Sequence, residues 1–205
     1  MDSSVVGGVL VAGLVVFMVG AAGWRQDYQR GLPESLPVIH RDRRRWWWIH
    51  TWMIAAMALT PAGLAGLAVV MAGRTAVVLT AMATVVYVVG GVCWVVSLTF
   101  RLSVVPWAAE RTDVEGRVPD GFAAYDRWAG LLYVVHMLTA YLASAVLGAA
   151  VLASDTLPAW LGWAGLAWGV GFAAGLVASR FAGLFNPPFL AHLYTAAVGV
   201  TLLVS

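Results

Sequence analysis

Three histidines, His50, His136 and His192, lie inside long apolar runs of the chain. Ionisable side chains are rare in such runs and mark functional sites by default. Imidazole can ligate haem iron, exchange a proton near neutral pH, or anchor a buried hydrogen-bond network. His50 lies five residues past Arg45, His136 nine past Arg127, and His192 four past Pro188. At 1.5 Å rise per residue these are depths of very roughly 6–14 Å from one face. Two stripes of helical spacing carry them: His50, Met53, Met57 and Thr60, and Tyr133, His136, Ala140 and Ser144. The fourth histidine, His40, belongs to a polar segment.

Three chemistries fit this pattern. In the first, His50 and His136 are axial ligands of one haem b, with His192 nearby; a second haem would need ligands in the opposite leaflet, which the chain lacks. In the second, Glu34, Glu110, Asp113 and Asp126 act with the histidines as acids or bases on a lipid or prenyl substrate, and Arg43, Arg44 and Arg45 hold a phosphate or anionic lipid head groups. In the third, the protein is a non-catalytic bundle that forms a homo-oligomer or packs into a larger membrane complex. Lysine is absent, which excludes a retinal Schiff base and every lysine-dependent covalent mechanism, and the single cysteine, Cys93, excludes an internal disulfide and a Cys-based metal site. No carboxylate lies deep in an apolar run, which argues against a carboxylate-driven proton carrier. No phosphate-binding glycine loop, His-Glu-x-x-His or Gly-x-Ser-x-Gly motif is present. A net charge of +2 offers no field for nucleic acid.

The elements that must position these residues are transmembrane helices. The chain is 61% hydrophobic and 11% charged, against about 25% charged residues in soluble domains. Six apolar runs in 205 residues, at about 5–24, 46–71, 76–100, 126–153, 159–179 and 188–204, predict a single all-α domain, a six-transmembrane-helix bundle. The third run continues as an interfacial helix through Pro106, Trp107 and Glu110, followed by a polar loop from Thr112 to Ala124. The first, third and fifth connections hold Arg25, Arg30, Arg41, Arg43, Arg44, Arg45, Arg101, Arg111, Arg117, Arg127 and Arg180, and the second and fourth only Arg74. Positive residues flanking spans stay cytoplasmic, so both termini are expected to be non-cytoplasmic, in a bacterial cytoplasmic (inner) membrane. The first run has its arginines after it rather than before it, the charge order of an uncleaved helix.

Trp46, Trp47 and Trp48 form an interfacial belt, and the connection from Arg25 to Arg45 an ordered surface segment whose prolines, Pro33 and Pro37, limit helix. Asn186 is suited to cap the last helix and Pro187 to open it. Ala140, Ser144 and Gly148 in the fourth span, and the Gly165/Gly169 and Gly171/Gly175 pairs in the fifth, mark close helix–helix seams within the bundle or between protomers. The segment Leu157-Pro158-Ala159-Trp160-Leu161-Gly162-Trp163, the glycine-rich helix after it, and Pro187-Pro188-Phe189-Leu190 ahead of a short last helix resemble a group of uncharacterised bacterial six-helix membrane proteins, frequent in actinobacteria. The resemblance covers residues 125 to 205 and implies a six-span bundle, without implying an activity.

Overall fold

The computed structural model describes residues 2–205. It consists of seven α-helices and two 3-10 turns: α1 (Ser3–Ala21), a turn at Gln26–Gln29, α2 (Leu32–Arg41), α3 (Arg43–Val70), α4 (Arg74–Glu115), α5 (Phe122–Leu152), α6 (Ala159–Ala178), a turn at Gly183–Phe185, and α7 (Leu190–Val204). Five of the helices, α1, α3, α4, α5 and α6, are long and apolar enough to cross a membrane; α7 is apolar but has 15 residues. These helices are apolar all round, as in a bundle that meets hydrocarbon rather than water. Along α4, Val78, Met82, Val85, Val89 and Val92 all point outward and are exposed.

Six helices run back and forth between two ends. In packing order they are α6, α5, α4, α3, α1 and α7, and α7 closes the set with lighter contacts to α3, α5 and α6. Backbones approach closely where side chains vanish. A Cβ on Gly148 of α5 would lie 2.6 Å from the Gly162 carbonyl of α6, and one on Gly7 of α1 would lie 2.6 Å from the Gly199 carbonyl of α7. The Gly148 and Gly165 positions therefore serve a seam inside the chain, whereas Gly171 faces open space. The Gly7–Gly199 contact also brings both chain ends to one end of the bundle. There, the Ala72 backbone N–H donates to Thr156 Oγ1 at 2.8 Å and ties the two short turns together. Arg74 lies at this end, and every other arginine lies at the opposite one.

The arginine-rich end departs from the expected layout in three ways. First, α4 is one continuous helix of 42 residues, about 63 Å long; it continues past Glu110, as the sequence suggests, but runs on to Glu115 into the segment expected to be a polar loop from Thr112 to Ala124. Pro106 sits inside it, and Gly116, in a left-handed conformation (φ 69°), ends it, so only residues 116–121 are left between α4 and α5. Second, the connection after α1 forms α2 with Pro37 in its interior. Proline there removes one helical hydrogen bond. Burying Leu36 and Ile39 on the flank that packs along α4 offsets the loss. Third, Asn186 does not cap α7. That helix begins at Leu190, after i→i+3 turns in which Leu190 and Ala191 donate to the Pro187 and Pro188 carbonyls.

Candidate functional site

The site grows from His50 on α3. Its Nδ1 donates to the Trp46 carbonyl one turn earlier, at 2.7 Å, and its ring packs on the Trp46 indole with centroids 4.2 Å apart. Trp46 is itself buried, donating its Nε1–H to the Arg101 carbonyl of α4 at 2.7 Å. The tryptophan triplet thus divides: Trp46 is a core residue that fixes His50, while Trp47 and Trp48 are half-exposed. A carbonyl can only accept, so His50 carries its proton on Nδ1 and keeps a lone pair on Nε2.

His50 lines a cavity of about 830 Å³ at the arginine-rich end. Its wall is aromatic, with Phe17, Trp24, Trp46, Trp94, Tyr133 and Phe189. Polar groups on it are few. Arg101 donates to Asp126 at 2.8 Å across α4 and α5. Asn186 contributes an amide whose Oδ1 is buried without a partner. The exposed Gln29 and Arg30 lie at the mouth. There Arg30 meets Asp27 at 2.9 Å, while Arg25 and the Tyr28 hydroxyl both donate to Asp42, at 2.8 and 2.9 Å. Burial, then the bond to Asp42, pushes the Tyr28 phenol up to about 12, so it remains a donor at neutral pH.

The segment after α6 forms one side of this cavity. Arg180 and Phe181 both take left-handed backbone conformations (φ 53° and 65°), turning the chain sharply back into the bundle. Two tyrosines of α5 then hold it. The Tyr133 hydroxyl donates to the Asn186 carbonyl, and the Tyr141 hydroxyl to the Phe185 carbonyl at 2.8 Å.

His136 and His192 belong to a different layer. Both are fully buried, and neither lines the cavity. His192 Nδ1 shares a hydrogen-bond site with Thr60 Oγ1 at 3.1 Å and the Tyr87 hydroxyl at 3.3 Å, and its Nε2 has no partner. His136 has no partner on either nitrogen. Its ring is stacked on Trp94, centroids 4.5 Å apart and planes 17° apart, and meets Tyr87 edge-on at 5.9 Å. Phe17 covers His192 at 5.0 Å. Trp94 and Phe17 therefore form an aromatic floor, with the cavity and His50 on one side and the His136–His192 layer on the other.

Of the four carboxylates with acid–base potential, only Asp126 reaches the cavity. Glu34 and Glu110 are exposed, and Asp113 is exposed with His40 Nε2 3.9 Å away. Arg43, Arg44 and Arg45 are exposed at the start of α3, outside the cavity lining. Among the described residues no three His, Cys, Asp or Glu side chains converge as metal ligands. Sequence reasoning missed Arg101, Trp94, Tyr133 and Asn186 as wall residues. Arg101 was the legible one, since the apolar pattern continues past it to Pro106 and Trp107. Compared with protein-family models, curated proteins and solved structures, the chain matches none.

Proposed function

We propose that the protein is a six-span protein of the bacterial cytoplasmic membrane, with both termini outside, that binds a lipid or prenyl amphiphile in the cavity at its cytoplasmic end. The observation that carries this reading is the cavity. Its 830 Å³ falls within the roughly 300–1,000 Å³ of small-molecule sites, and its apolar wall with a few fixed polar groups is the composition such sites share. The arginine distribution supports the orientation, because the end that holds the cavity holds every arginine except Arg74. In support of six spans, α7 packs against α1 from Gly7–Gly199 to Phe17–His192 and is extended at its start by the tyrosine-held segment.

The geometry favours an amphiphile over a porphyrin between His50 and His136. A haem with that axial pair needs an open slot between the two imidazoles. The two imidazoles lie on opposite sides of the Trp94 and Phe17 rings instead, and only His50 is on the cavity wall. The test is a combination of spectroscopy and lipid analysis on protein purified in mild detergent. The expected result is a colourless protein that retains a stoichiometric amphiphile in mass spectrometry of its extract, and loses it in Trp94→Ala or Met53→Trp variants. A Soret band that sharpens on dithionite reduction would overturn the reading.

A further inference from the structure

We infer that the head group taken by this cavity is neutral and bears hydroxyls, a prenyl alcohol or acylglycerol rather than a phosphorylated lipid; this rests on the amphiphile reading above. Two observations lead there independently.

The first is charge. A phosphate needs uncommitted cations, and the cavity offers none among the described residues. Arg101 is held by Asp126 at 2.8 Å, and Arg30 at the mouth by Asp27 at 2.9 Å. Arg25 is held by Asp42 at 2.8 Å. Arg43, Arg44 and Arg45 carry no ion pair, but they lie outside the lining. A monoanion in the cavity would meet Asp126 at the same time as Arg101, so the pair presents no net positive charge to it.

The second is hydrogen-bond polarity. Several donors on the wall are already committed. Trp46 donates to the Arg101 carbonyl, Tyr133 to the Asn186 carbonyl, Ser97 to the Ala129 carbonyl and Tyr28 to Asp42. Trp24, Ser35 and the Asn186 amide keep donors without a partner, which a hydroxyl oxygen can meet, and one lone pair is open as well. His50 is 97% buried, has no carboxylate partner, and has Nδ1–H fixed on Trp46, which leaves Nε2 as an acceptor. Asn186 Oδ1 is unpartnered as well, but it is enclosed by its neighbours rather than open to the cavity. An unsatisfied acceptor such as His50 Nε2 in this wall asks for a ligand that donates, and a hydroxyl does so, and accepts in turn, without bringing a charge into the site.

The experiment uses the full-length protein in nanodiscs and two matched probes, geranylgeraniol and geranylgeranyl monophosphate, with quenching of tryptophan fluorescence and native mass spectrometry as readouts. The alcohol should bind at least about tenfold more tightly than the monophosphate. His50→Phe, which keeps the ring and removes the acceptor, should weaken alcohol binding about tenfold, the worth of one good hydrogen bond to a buried partner. His50→Gln supplies an amide oxygen at similar reach and should recover most of that affinity, which separates a lost acceptor from a disturbed fold. Tighter binding of the monophosphate, or equal loss of both probes in His50→Phe with no recovery in His50→Gln, would overturn the neutral-head inference and leave the amphiphile reading standing. Binding of neither probe to the wild-type protein would remove both.

Discussion

Substituting one glycine in the α5–α6 seam should cost more stability than any comparable change on an outward face. In Gly148→Ala the added Cβ would lie 2.6 Å from the Gly162 carbonyl oxygen and from Leu166 N, and 2.9 Å from the Gly165 carbonyl carbon. All three are backbone atoms, so no rotamer change relieves the overlap, and the helices must part by about 1 Å. A gap of that size forfeits roughly a quarter to a half of each dispersion contact along the seam. Dispersion is what holds helices together in lipid. Overpacking of this kind costs about 1–3 kcal/mol, against which alanine returns up to about 1 kcal/mol of helix propensity. The net expectation is a loss of about 1–2 kcal/mol, or roughly 2–8 °C in Tm for a chain of this length. Gly171→Ala is the control, because nothing lies within 4 Å of its added methyl; it should leave Tm unchanged or raise it. Both variants are compared with wild type by thermal unfolding in one detergent at one scan rate, since unfolding of such proteins is often irreversible. If Gly148→Ala proves as stable as Gly171→Ala, the seam is not packed as described.

Three further outcomes follow from the same geometry. In a Cys93→Ala background, cysteines introduced at Ser3 and at Gly116 should label from opposite sides of the membrane; labelling from the same side rejects the orientation. His136→Phe keeps the stack on Trp94 and removes two buried, unpartnered nitrogens, so stability should hold or rise. A loss above about 2 kcal/mol would mean that the imidazole has a partner after all. Tyr28 should stay protonated to high pH. With its folded-state value pushed up to about 12 and an unfolded value near 10, its stabilising contribution is full below about pH 10 and is lost as the pH rises through about 12. The phenolate absorbance lost in Tyr28→Phe relative to wild type should therefore appear only near the top of that window, and its appearance near pH 10 would deny the buried bond to Asp42.

The parts legible in the sequence were those set by the surroundings of a whole segment. Arginine placement sorts the connections into two ends because each charge contributes independently, and the apolar runs give the helices because length and composition suffice. What could not be read were pairings. Trp46, Trp47 and Trp48 are identical in type and adjacent, yet helical rotation of about 100° per residue turns only the first into the bundle, where it holds His50. The stripe containing His136 does not say which neighbour will cover it, and Trp94, 42 positions away, takes that role. Arg101 lies where the apolar run gives way to the interfacial continuation of its helix, and nothing local names its partner: Asp126 of α5, 25 positions away, pairs with it.

Unequal helix length also explains why a cavity exists where it does. At the end holding the chain termini, the helices finish together and glycine seams close the packing. From that end α6 extends for 20 residues and α7 for 15, while α3, α4 and α5 continue for 28, 42 and 31. At 1.5 Å per residue, α4 overhangs α6 by about 33 Å. The overhang leaves the inner faces of α3, α4 and α5 without α6 or α7 against them at the arginine-rich end. Only α2, the Gln26–Gln29 turn and the segment 182–189 are there to roof it, and none of them is long enough to fill the volume. The cavity is therefore a consequence of the chain's unequal helix lengths. Its polar groups, His50, Arg101, Asp126 and Asn186, come from four different elements that meet only because of this mismatch. Lengthening α7 by a turn at its start would push Asn186 and Phe189 into the space, and ligand retention should fall even though no wall residue is changed.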